Sequence, residues 1–62
     1  ERMSFETAEE AFSAGNSFFV DEKYDAALRK YTDAIELDDK NASFFVARAA
    51  AHLQLKNEMG TQ

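Results

Sequence analysis

The sequence predicts an all-α fold, an αα-hairpin followed by a third helix. Three observations carry that expectation. Proline is absent and glycine occurs only twice, so little in the chain breaks a helix. Apolar residues return every three or four positions in three separate runs. The breaks between those runs are short and polar, which forces successive helices to lie antiparallel.

The first helix is expected from about Ser4 to Val20. Phe5, Ala8, Ala11, Phe12, Gly15, Phe18 and Phe19 form its apolar stripe. Ser4 or Thr7 can cap it, and Thr7 with Glu10 has the spacing of a capping box. Glu6, Glu9 and Glu10 suit the positive end of the helix dipole. The second helix is expected over 22–37, with Asp21 as its N-cap and a stripe of Tyr24, Ala27, Leu28, Tyr31, Ala34 and Ile35. On its outer face Asp25 with Arg29, and Glu36 with Lys40, stand four apart in the favourable acid-first order, each pair contributing ~0.3 kcal/mol.

Asp38-Asp39-Lys40-Asn41 reads as a polar turn in which Asn41 caps a third helix over 42–56. That helix carries Phe44, Phe45, Ala49, Ala50, Leu53 and Leu55, and its alanines at 47, 49, 50 and 51 allow close approach by a neighbour. Residues 57–62 have no apolar stripe and are expected to fray. Met3 is a candidate natural start, with Glu1 and Arg2 added ahead of it.

Composition bounds what the chain can do. At 62 residues and 45% hydrophobic content it forms one small domain. Its unfolding free energy should be only ~3–9 kcal/mol. With no cysteine, neither a disulfide framework nor a thiolate metal site is available. No run approaches the length of a membrane span, and the N-terminus lacks a signal-peptide pattern. The expectation is therefore a cytoplasmic chain, able to work in the nucleus as well, that does not engage a membrane. A net charge of -5 speaks against a nucleic-acid surface and for protein partners, basic ones among them.

The second-helix run Tyr24-x-x-Ala27-x-x-x-Tyr31-x-x-Ala34-Ile35-x-Leu37-Asp38, preceded by Gly15 and Phe18, resembles the tetratricopeptide repeat, a 34-residue unit of two antiparallel helices. The resemblance covers most of the chain. Counting 34 residues on from Ala11, Gly15 and Phe18 reaches Phe45, Ala49 and His52, so the third helix corresponds to the first helix of a second repeat. Residues 4–37 then form the first repeat and 42–56 open an incomplete second one, together a fragment of a right-handed superhelix. Three positions depart from the pattern. Asp39 replaces the usual proline after the second helix, Glu58 stands where a tyrosine is expected, and Gly60 follows closely.

What the resemblance implies is a non-catalytic protein-interaction module. The run Phe44-Phe45-Val46-Ala47-Arg48-Ala49 is most similar to the N-terminal repeats of the suppressor-of-G-two-allele-of-Skp co-chaperones, which implies an adaptor joining chaperone and ubiquitin-ligase components. Binding is expected on the concave face, with Phe12, Asn16, Arg48 and His52 as contact residues. A frequent alternative in the family is a carboxylate clamp that grips heat-shock chaperone C-terminal peptides through K-x-x-G-N and N-R-A motifs. Here those positions read Phe12-Ser13-Ala14-Gly15-Asn16 and Ala47-Arg48-Ala49, so only Asn16 is kept and the pairing cation is gone. A further alternative is a self-associating structural element. Without a second helix to cover them, Phe45, Ala49 and Leu53 should be partly bare and favour a homo-oligomer.

Chemistry has few candidates. His52 is the lone histidine and lacks ligand partners at helical spacing. Asp38-Asp39 lacks the glycine and distal glutamate of a calcium loop. Ser4, Ser13, Ser17 and Ser43 have no base held by a third group. No cofactor, metal or enzymatic activity is expected.

Overall fold

The computed structural model describes residues 6–58. Three helices follow in order, α1 (Ala8–Val20), α2 (Tyr24–Leu37) and α3 (Ala42–Glu58), and no strand occurs among the described residues. Helix α2 lies in the middle, packed by α1 on one side and α3 on the other. Both neighbours run antiparallel to it. Phe19 near the end of α1 meets Tyr24 at the start of α2, with ring centroids 5.1 Å apart. Ala11 near the start of α1 clusters with Ala34 and Ile35 near the end of α2. The same holds for α3, whose Phe44 joins that cluster while Ala51 packs with Ala27 and Tyr31.

Helix α1 starts at Ala8, later than the sequence suggests, because Thr7 takes the cap and Ser4 lies outside the described residues. The capping box is complete. Glu10 N–H donates to Thr7 Oγ1 at 3.1 Å, and Thr7 N–H donates to Glu10 Oε1 at 3.0 Å. Just ahead of the helix, Glu6 meets the Lys30 ammonium at 3.4 Å, tying the entering strand of chain to α2.

The α1–α2 turn corrects the expectation for Asp21. It does not cap α2; it closes α1. Lys23 N–H donates to Phe18 O at 2.8 Å and Glu22 N–H to Phe19 O at 3.0 Å, the two bonds of a Schellman motif. The motif needs a left-handed residue, and Glu22 supplies it with φ 65°. Glycine is the usual residue there, so the sequence carried no sign of the turn, and a non-glycine costs ~1 kcal/mol. Helix α2 consequently begins at Tyr24 with Lys23 before it and no side-chain cap.

The second turn matches its reading more closely. Asp38 Oδ1 accepts from Lys40 N–H at 3.1 Å, and Asn41 Oδ1 accepts from Ser43 N–H at 2.9 Å to cap α3. Thr7 and Asn41, the two side-chain caps, are 34 positions apart, as are the helix starts Ala8 and Ala42. Helix α3 runs on to Glu58, so Asn57 and Glu58 are helical and not frayed; 59–62 lie outside the described residues. The two surface ion pairs expected on α2 do not form. Lys30 lies 4.0 Å from Asp33, and Lys40, beyond the helix end, turns to Asp39 at 3.7 Å.

The core consists of Ala11, Ala27, Tyr31, Ala34, Ile35, Phe44 and Ala51. Four of the seven are alanines, so the three helices pack at short range and the large rings of Tyr31 and Phe44 fill what remains. Gly15 makes the closest approach. A Cβ there would stand 2.6 Å from two ring carbons of Tyr31.

Candidate protein-binding surface

The Tyr31 ring lies flat on the hydrogen of Gly15, and its hydroxyl reaches across the next residue of α1. Tyr31 OH donates to Asn16 Oδ1 at 2.7 Å. Burial therefore satisfies the ring while the polar tip finds a partner, as a buried tyrosine requires. Asn16 is itself exposed, and with Oδ1 held inward its Nδ2 is left to face solvent as a donor of fixed direction. Burial also pushes the Tyr31 phenol above its ordinary value. The Tyr24 phenol is raised too, first by desolvation and then by Glu22 and Glu58.

Phe12 occupies a different place from the one expected of a contact residue. Its ring packs on Phe44, with centroids 4.8 Å apart, and on Tyr31 at 5.7 Å, joining the two halves of the core. What remains exposed is a minority of the side chain, so Phe12 acts chiefly as packing between α1, α2 and α3. The lysine of a clamp would stand at this position, and a charged group would not fit between those two rings.

Arg48 is half-buried on α3, with its guanidinium carbon 5.8 Å from the centroid of Phe45, within range of a cation–π contact. His52 is exposed one turn further on. Arg48 and Asn16 share no hydrogen bond, so the polar groups expected on the concave face are brought to one molecule but not into one network. Ala47, at the second clamp position, packs against the core and offers only a methyl group.

Phe45, Ala49 and Leu53 are all exposed on α3, at 41% for Phe45 and 59% for Leu53. Sequence reasoning missed their neighbour Val46, which is 67% exposed. It also missed Tyr31 as the group that orients Asn16. The signal available was a tyrosine, where phenylalanine would serve packing alone, on the face of α2 opposite a glycine.

On α2 two open depressions face solvent, one lined by Asp25, Leu28, Arg29, Thr32 and Asp33 and the other by Glu6, Asp33, Glu36 and Leu37. Among the described residues no three His, Asp or Glu side chains gather as a metal would need, and no helix is long and apolar enough to cross a membrane.

Comparison with known proteins connects this geometry to a family. A family model described as TPR repeat matches residues 15–56. The chain is 44% identical over 48 residues to the Protein SGT1 homolog of Dictyostelium discoideum, covering 77% of the chain and 12% of that protein. It is 41% identical over 56 residues to Serine/threonine-protein phosphatase 5 of Arabidopsis thaliana, covering 90% and 10%. It is 35% identical over 43 residues to the Hsp70-Hsp90 organising protein of Plasmodium falciparum, covering 69% and 8%. The chain thus spans about a tenth of the length of these relatives. No solved structure matches it.

Proposed function

The chain belongs to the tetratricopeptide repeat family, and on that footing we propose that it is the protein-interaction module of a cytoplasmic and nuclear co-chaperone adaptor that links chaperone and ubiquitin-ligase components. The repeat is an interaction fold without catalysis of its own, and where a relative is a phosphatase the present chain matches only a tenth of it. Similarity to the SGT1 homolog and to the Hsp70-Hsp90 organising protein supports the co-chaperone reading. The observation that carries the binding surface is the Tyr31–Asn16 hydrogen bond, which holds an exposed amide donor in one direction before any ligand arrives. Arg48 and His52 on α3 supply the further polar contacts.

Grip of a chaperone C-terminal carboxylate by a clamp has less support, since Phe12 replaces the lysine and is committed to the core. Titration with purified chaperone, ubiquitin-ligase subunits and an acidic chaperone-tail peptide tests both readings. The expected result is binding to one of the proteins that falls at least tenfold in the Asn16→Ala/Arg48→Ala double variant, with no micromolar binding of the peptide. Retention unchanged in the double variant would remove this surface from the proposal. Micromolar peptide binding would restore the clamp.

A further inference from the structure

Helix α3 is apolar on two sides. Its inner side, Phe44, Ala47 and Ala51, packs on α2 and α1. At about 100° per residue, Ala42, Phe45, Val46, Ala49, His52, Leu53 and Lys56 all fall within about 60° of Ala49 on the opposite side. Five of these seven are apolar, and three of them are the large exposed residues Phe45, Val46 and Leu53. A helix apolar all round is normally covered all round.

The 34-residue correspondence says what does not cover it. On α1 the equivalent of Ala49 is Gly15, and Tyr31 of α2 seats there only because no Cβ intervenes. Ala49 carries that Cβ, and Phe45 stands where α1 has the small Ala11. A helix with the side chains of α2 therefore cannot dock on α3 as α2 docks on α1. The stripe instead fits its own reverse. About a two-fold axis through Ala49, Phe45 lies opposite Leu53 of a second copy, Val46 opposite His52, and Ala42 opposite Lys56, with two methyl groups meeting at the crossing.

Charge favours the same pairing. Over residues 6–41 acidic side chains outnumber basic ones ten to four, whereas α3 carries Arg48 and Lys56 against Glu58 alone. Two chains of net charge -5 repel least along α3. The antiparallel arrangement also brings Lys56 within about a turn of the second copy's Asp38-Asp39 corner, and sets each helix C-terminus beside an N-terminus.

We propose that α3 docks on α3 of a second copy, antiparallel and centred on Ala49, through Phe45, Val46 and Leu53. This surface is separate from the Asn16 amide, so partner binding can fail while self-association stands, and the reverse. One helix about 25 Å long buries less than the ~1,200 Å² of a stable interface, so the dissociation constant is on the order of 100 µM.

Sedimentation equilibrium between roughly 10 µM and 1 mM, bracketing that constant, should show the weight-average mass rise toward twice the monomer value. Leu53→Glu, at an exposed position, should hold the mass at monomer with helicity unchanged by circular dichroism. Because the chain has no cysteine, Ala49→Cys places one thiol per copy on the axis, and oxidised glutathione should link it at least tenfold faster than Asp25→Cys on α2. A helical wild-type chain that stays monomeric throughout would overturn the proposal. So would a Leu53→Glu dimer, or an Ala49→Cys rate no higher than the Asp25→Cys control.

Discussion

Helices α1 and α3 occupy corresponding places, 34 residues apart, each starting from a side-chain cap and each laid antiparallel along α2. They solve the packing problem in opposite ways. Helix α1 brings a glycine to the contact and lets a large ring come to it, so its bulk is contributed by Tyr31. Helix α3 brings bulk of its own, with Phe44 turned inward and Phe45 outward from adjacent positions. A side chain added to α1 at the contact therefore meets an obstacle, while the outer side of α3 has room and lacks a neighbour.

The strongest way to break this comparison is Phe44→Ala. Removing a ring that is only 2% exposed should cost ~3–5 kcal/mol, comparable to the whole stability of a domain this size. Thermal denaturation should find the variant largely unfolded at 37 °C, and a cooperative transition near the wild-type midpoint would refute the assignment of Phe44 to the core. Next comes Gly15→Ala. Overpacking against Tyr31 should outweigh the ~1 kcal/mol gained by alanine in a helix, for a net loss of about 1–2 kcal/mol by urea titration. The matching change on α3, Ala49→Gly at low concentration, should cost only the helix-propensity difference of ~1 kcal/mol. If Gly15→Ala proved stabilising, the Tyr31 ring would have to be freer than its contacts indicate.

The turns give smaller effects of opposite sign. Asn41→Ala removes the α3 cap and should lose about 1 kcal/mol. Glu22→Gly relieves the left-handed residue of the α1–α2 turn and should gain ~0.5–1 kcal/mol. Urea midpoints moving the same way in both variants would contradict one of the two turn geometries.

The smallest effect at neutral pH, and one confined to alkaline solution, comes from Tyr31. Its folded pKa is raised by burial, so the folded chain holds the phenol proton more tightly than the unfolded one. That stability is fully present below the ordinary tyrosine value near 10 and is lost as pH rises through the folded value. Denaturation followed from pH 8 to 11 should therefore show a decline that is shallower in Tyr31→Phe, with the Tyr24 contribution remaining. An equally steep decline in that variant would assign the alkaline loss elsewhere.

Much of this architecture was legible in the sequence, and the reasons differ by element. The stripes of α1 and α2 and the cap at Asn41 are local patterns, written within a few residues. Asp21 misled because an aspartate before an apolar run is the ordinary sign of a helix start. Only the backbone conformation of Glu22, for which the sequence offers no glycine, reassigns it to the end of α1. Phe12 was harder still. Its spacing fits both a groove and a core, and the decision depends on Phe44, 32 positions away, reaching it across the hairpin. The Asn16 amide was named from the motif, but the hydroxyl that orients it belongs to another helix.

The central position of α2 has a consequence for how the molecule opens. Its amides are shielded from two sides, and those of α3 from one, so α3 can detach while the α1–α2 hairpin persists. Native-state hydrogen exchange should then divide the chain into two cooperative units. Amides of α2 near Ala27 and Tyr31 should exchange only through global unfolding. Those of α3 near Ala49 should exchange sooner, by a sub-global opening that releases one helix at a time from the end of the array.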